Sequence, residues 1–337
     1  MGTRLLLGLL WLIHGLPLRV IAALAIPLGF IAAQGRARRT TAINLHACFP
    51  EMSHAQRQRL TRAHLTALIR SVLELGILWW SPPARIQRLV RFKNAHYAQN
   101  SDRPVICLSP HMVGLEMQGA LIGMHFRGVG FFTPHKDPLI DQRLRAARNR
   151  LGDVLMLERK KGLRPLIRAI RDGRLLYFLP DMDFGERDSH FVPFFGIPAA
   201  TVPTLPWLVR QCNARVIPCA CHRLPNHEGY EVEFFPPWED FPGADLTQDL
   251  QRMNRFIETM ARQYPEEYYW SHKRLNDSAH ALLLPTPTSI AGPNPSIRPI
   301  PDHRDVRESS PLPNLPIHAS RQYPGLPAVW LDSMQDR

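Results

Sequence analysis

From Pro104 onward, short apolar runs of four to five residues alternate with longer amphipathic segments. Val105–Ser109, Val129–Thr133, Val154–Leu157 and Leu175–Leu179 read as buried strands. Leu115–His125, Leu139–Leu151 and Leu163–Arg171 carry apolar positions at helical spacing between them. The alternation continues with a helix over Thr201–Cys212, strands over Arg215–Cys221 and Tyr230–Phe235, and a helix over Leu246–Gln263. Repeated strand–helix alternation predicts a layered α/β domain: a largely parallel sheet with helices on both faces.

The region before this domain is helical. Leu60, Leu65, Leu68, Ile69, Val72 and Leu75 recur at helical spacing, Ser53 with Gln56 forms a capping-box start, and Pro82-Pro83 ends the run. Further upstream, Leu5–Ala33 is almost wholly apolar, interrupted by His14, Pro17, Arg19 and Pro27. Arg4 precedes it and Arg36, Arg38 and Arg39 follow. Each uninterrupted piece is shorter than the roughly 20 residues a spanning helix needs. The stretch reads as an uncleaved membrane anchor, spanning or lying in the interface, with the basic cluster holding the rest on the cytoplasmic side. A buried helical hairpin is the competing reading. Beyond about Leu284 the chain is rich in Pro and Ser without periodicity, which predicts a disordered tail. The expected organisation is an anchor over 1–35, the α/β domain over 36–280 and the tail over 281–337.

A formal net charge of +12 attracts anionic partners, among them acidic lipid headgroups, phosphorylated substrates and acidic carrier proteins. No zinc-finger spacing or RNA-binding aromatic signature is present, so nucleic acid is not expected. The 5 cysteines, an odd number scattered through apolar segments, predict free thiols in a reducing compartment. Cys219, Cys221 and His222 lie in a strand-like run; alternation on that strand accounts for them, and neither a metal nor another cofactor is expected.

The segment P-V-I-C-L-S-P-H-M-V-G-L-E-M holds the sharpest chemistry. His111 stands just past a buried strand, outside the helix because Pro110 disfavours helix up to itself, and Glu116 lies in the helix's first turns. Placed so, the two can meet. A neutral imidazole removes a proton from a hydroxyl, and a carboxylate on its other ring nitrogen fixes the tautomer. No acyl-enzyme is then needed, and helix-start N–H groups or an Arg supply oxyanion donors. Lys136, Arg148, Arg150 and Arg159 are candidate phosphate holders. Asp181 and Asp183, in L-P-D-M-D-F-G, are a carboxylate pair able to bind a metal or an Arg, or to shape the substrate site. Phe191–Pro198 places aromatics and Gly196 in a tight loop that lines an apolar groove or packs in the core. A serine hydrolase using Ser109 lacks a Gly-flanked elbow.

Several motifs in order carry a resemblance: R-R-T-T-A-I-N-L-H-A-C-F-P-E, S-P-H-M-V-G-L-E, F-F-T-P-H-K-D-P-L-I-D, L-P-D-M-D-F-G, H-F-V-P-F-F-G-I-P-A-A-T and P-E-E-Y-Y-W-S-H-K-R-L. Together they resemble the lauroyl/myristoyl transferases that act late in lipid A biosynthesis, over the chain up to about Leu275. The resemblance implies a glycerolipid-acyltransferase-like fold and His111 as the base acting on the 3-hydroxyl of an acyl chain already on a glucosamine disaccharide. It implies an acyl carrier protein thioester as donor and a place on the cytoplasmic face of the inner membrane. Met182, the segment around His135-Lys136 and the Pro-rich tail depart from the family pattern. They leave open a different glycolipid, aminolipid or other hydroxylated lipid as acceptor and coenzyme A as the thioester carrier. Oligomeric state is not legible.

Overall fold

The computed structural model describes residues 2–182, 189–272 and 274–275. The tail over 281–337 and Asp183 lie outside the described residues. Four helices open the chain: α1 (Gly2–Ile13), α2 (Leu18–Ala32), α3 (Arg36–Cys48) and α4 (His54–Trp80). Short α5 (Pro83–Arg88), β1 (Val90–Lys93) and α6 (His96–Gln99) lead into the alternating region. There β2 (Val105–Leu108), α7 (Leu115–His125), β3 (Gly128–Phe132), α8 (Pro138–Arg150), β4 (Val154–Glu158), α9 (Arg164–Arg171) and β5 (Leu175–Phe178) follow in turn. A hairpin of β6 (His190–Phe194) and β7 (Ile197–Thr201), then α10 (Thr204–Cys212), β8 (Arg215–Arg223), β9 (Tyr230–Phe234) and α11 (Leu246–Gln263) complete it.

Seven strands form one sheet in the order β1-β9-β8-β2-β5-β3-β4. All pairs are parallel except β8–β9, whose short connection permits only an antiparallel return. Both faces are covered, as the apolar runs require. In β2, Ile106 and Leu108 join the cluster with α3, α9, α10 and α11, while Val105 and Cys107 join the one with α1, α2, α4 and α7. Phe191–Pro198, expected as a tight loop, forms the turn of the β6–β7 hairpin, with Phe195 and Gly196 at positive φ. All five cysteines are free and buried; Cys219 and Cys221 face one core on β8.

The N-terminal segment is not a separate body. Leu10, Ile13, Leu18, Ile21 and Ala25 are buried in the core that α4 also serves. The approach is close. A Cβ on Gly29 would stand 2.6 Å from Thr66 Oγ1, and one on Gly76 would overlap the Leu10 carbonyl. The other faces of α1 and α2 are uncovered: Leu5, Trp11, Leu12, Ile26, Phe30 and Ile31 are all more than half exposed. Among the described residues no single helix is long and apolar enough to cross a membrane. The pair α2 and α3, bent by 90°, meets that test by length and composition.

α4 begins as its sequence predicts. Ser53 Oγ accepts from Gln56 N at 3.3 Å and Gln56 Oε1 accepts from Ser53 N at 2.7 Å, a cap worth about 1 kcal/mol. It is tied to β8 by a buried ion cluster. Arg70 and Arg223 both contact Glu74, at 2.7 and 3.1 Å, and Arg223 also faces Glu267 at 3.7 Å. Burial pushes the Glu74 carboxyl up, but Arg223 and Arg70 outweigh it and leave it below its ordinary value.

Candidate active site

β2 and β5 are parallel neighbours with Leu108 opposite Phe178. Three residues past those positions stand His111 and Asp181, so equal steps off adjacent strand ends bring them together at the carboxyl edge of the sheet. His111 Nδ1 and Asp181 Oδ1 are 2.6 Å apart, and the His111 backbone N–H donates to both carboxylate oxygens at 3.0 and 3.2 Å. The Asp181 side chain is fully buried and that of His111 is 17% exposed, so the imidazole is held from inside and reachable from outside. Burial pushes the Asp181 carboxyl up. The His111 imidazole, the hydrogen bonds from His111 and the nearby His272 together outweigh burial and hold it far below the usual carboxylate range.

The expected pairing of His111 with Glu116 is therefore corrected. Glu116 lies in the first turn of α7, but its carboxylate turns toward α8 and takes Arg148 in a two-point contact, Nη2 to Oε1 at 2.5 Å and Nε to Oε2 at 3.1 Å. The physical reason is competition. Asp181 already fills the Nδ1 side of the ring, and a planar guanidinium one helix away offers Glu116 the better partner.

His111, Leu115, Glu116 and Arg148 line a cavity of about 200 Å3 that runs in between α7 and strands β3, β4 and β5. Its remaining wall is apolar or glycine: Gly119, Gly123, Gly128, Gly130, Phe132, Val154, Met156 and Tyr177 among others. With Nδ1 engaged by Asp181, Nε2 is the ring nitrogen available to a substrate in that cavity.

The other predicted phosphate holders fall elsewhere. Lys136 is solvent-exposed in the loop before α8 and does not line the cavity. Arg150 turns away and donates to the carbonyls of Leu78 and Ser81, each at 2.8 Å, clamping the end of α4. Arg159 follows β4 in a short 3-10 turn, outside the cavity wall, and burial lowers its pKa.

A strap after α11 braces the site. Val113 N–H donates to Glu267 O at 2.8 Å and Tyr269 N–H to His111 O at 2.9 Å; His272 Nε2 lies 3.0 Å from Asp181 O. Asn44 of α3 holds the strap by donating to the carbonyls of Trp270 and His272, each at 2.8 Å. Burial lowers the His272 pKa. The sequence marks Trp270 and His272 as closing the domain in a structural role, but not that they brace His111 and Asp181. The only trace of the brace was the joint presence of the N-L-H-A-C-F-P-E and W-S-H-K-R-L motifs.

Comparison with known proteins identifies the family. The family model described as "Bacterial lipid A biosynthesis acyltransferase" matches residues 1–277. The chain is 32% identical over 278 residues to the lipid A biosynthesis lauroyltransferase of Escherichia coli K12, covering 81% of this chain and 90% of that protein. It is 28% identical over 274 residues to the palmitoleoyltransferase of the same strain, with 80% and 89% covered. It is 30% identical over 256 residues to the myristoyltransferase, with 74% and 78% covered. The chain is an acyltransferase and belongs to the bacterial lipid A biosynthesis acyltransferase family.

Proposed function

We propose that this enzyme moves an acyl group from an acyl carrier protein thioester onto a hydroxyl of a lipid A precursor. The observation that carries the mechanism is the 2.6 Å contact of His111 Nδ1 with buried Asp181 at the mouth of an apolar cavity. His111 Nε2 takes the proton of the acceptor hydroxyl as its oxygen attacks the thioester carbonyl carbon. Asp181 stabilises the imidazolium that forms. The tetrahedral oxyanion faces the N–H groups of the first turn of α7 and the Arg148 guanidinium. Its collapse breaks the C–S bond, and the proton on His111 passes to the leaving sulfur. Glu116 serves by holding Arg148 at the cavity mouth. The apolar slot suits the donor's acyl chain.

The exposed apolar faces of α1 and α2, flanked by Arg4, Arg36, Arg38 and Arg39, suit immersion in the acidic inner leaflet of a bacterial inner membrane. The +12 charge favours both an acidic carrier protein and the acceptor's phosphates.

Mass spectrometry of lipids from cells with and without the gene tests the proposal. One additional secondary acyl group on lipid A is expected with the gene, and His111→Ala should abolish it with at least about a hundredfold loss of transfer in vitro. Unchanged lipid A beside another altered hydroxylated lipid would overturn the acceptor, and an active His111→Ala enzyme would overturn the mechanism.

A further inference from the structure

A second cavity adjoins the first. It too has a volume of about 200 Å3, and its walls are Leu68, Ser71, Val72, Leu75 and Leu78 of α4 together with Val113–Met117, Tyr230 and Tyr269. It shares Leu115 and Glu116 with the cavity that His111 lines, so the start of α7 stands as a partition between the two. Tyr269, which donates its N–H to His111 O, borders it as well. The stripe Leu68, Val72 and Leu75 was legible as a core face. In the fold these three are only half-buried, because they look into this groove rather than into packed side chains. The acid at its floor, Glu74, is neutralised by Arg70 and Arg223, so the floor offers no free charge.

We propose that this α4 groove binds an acyl chain of the acceptor, while the chain being transferred occupies the cavity against β3–β5; the assignment rests on the acyl-transfer reading above. The reaction needs two hydrocarbon chains at one imidazole, one on the thioester and one beside the attacking hydroxyl, and the fold supplies two apolar slots that meet at Leu115 and Glu116. Which chain goes where follows from the surroundings. The groove lies on α4, the helix against which α1 and α2 pack while keeping their outer apolar faces exposed, so it belongs to the part of the fold nearest a lipid surface. The slot against the sheet is walled by rigid strands, which suits a chain of fixed length delivered by a soluble carrier.

The experiment uses the full-length enzyme and two acceptors: a glucosamine phosphate carrying a long 3-hydroxyacyl chain, and the same compound cut to a 3-hydroxybutanoyl group. Val72→Trp fills the α4 groove. Its kcat/KM for the long acceptor should fall at least about tenfold further than for the short one, since exclusion of even one methylene is worth about that factor. Gly119→Leu projects into the other slot, where a Cβ would meet only Tyr177 at 3.7 Å. It should instead shift the preferred donor chain to a shorter one. If thermal melting shows Val72→Trp unfolded, Leu68→Ala replaces it, and the enlarged groove should raise relative activity on acceptors with bulkier chains. Equal losses on both acceptors, or a changed donor preference in Val72→Trp, would overturn the assignment. Failure of the wild-type enzyme to use either acceptor would instead remove the acceptor class itself.

Discussion

Replacing Asp181 by Asn separates the two carboxylates that compete for the role behind His111. The amide can still accept the His111 backbone N–H. With its oxygen at the Oδ1 position it keeps the 2.6 Å contact to Nδ1 but turns its NH2 against the backbone N–H that Oδ2 accepts at 3.0 Å; flipped, it satisfies that N–H and turns its NH2 toward Nδ1. The NH2 group facing Nδ1 would leave the proton on Nε2, the wrong tautomer for a base. Asp181 is fully buried, so water does not screen the lost charge. Removing the charge behind a catalytic imidazole costs about 10³–10⁴ in kcat, or roughly 4–5.5 kcal/mol of transition-state stabilisation. The assay is transfer from a radiolabelled acyl thioester at saturating acceptor, with melting curves to confirm folding. Stability carries a matching signature. The folded-state pKa of Asp181 is lowered, so its stabilising contribution is complete above the ordinary carboxylate pKa near 4 and is lost as pH falls below it; Asp181→Asn should flatten that part of the pH–stability curve. Glu116→Gln, which keeps a hydrogen-bond acceptor for Arg148, should cost less than Asp181→Asn. The reasoning is refuted if Asp181→Asn retains activity within tenfold while Glu116→Gln loses it.

Two further outcomes are expected. His64 is fully buried between Glu266 O and Ser271 Oγ, and burial pushes its pKa down to about 4. Its neutral form therefore stabilises the fold above pH 6.5. On the order of 3 kcal/mol should be lost as pH falls from 6.5 to 4, visible in urea titrations and reduced in His64→Gln. Arg150→Ala removes the clamp on Leu78 O and Ser81 O and should lower stability by roughly 1–3 kcal/mol with little change in KM. A large rise in acceptor KM at unchanged Tm would restore Arg150 as a phosphate holder.

The sequence by itself determined the layered α/β architecture, the position of most elements to within a few residues, and the place of His111 between a buried strand and the helix that follows it. Those features are local. Apolar period separates strand from helix, Ser53 and Gln56 cap α4, and Pro110 bars helix ahead of itself, leaving His111 in the turn before the helix that starts at Leu115. The β6–β7 hairpin escaped because Pro193 and Pro198 interrupt the alternation a strand is recognised by; a two-stranded pair outside the main sheet tolerates them. What only the tertiary structure decided was which carboxylate contacts the imidazole. Glu116 is near His111 in the chain, but Asp181 is near it in space, because Leu108 and Phe178 are in register on adjacent strands. The same holds for the half-covered stripe on α4. Helical spacing marks Leu68, Val72 and Leu75 as facing inward, and only the packing of α7 beside them shows that inward there means a groove. Strand pairing and interhelical gaps depend on residues far apart in the chain, so no window of neighbouring positions encodes them.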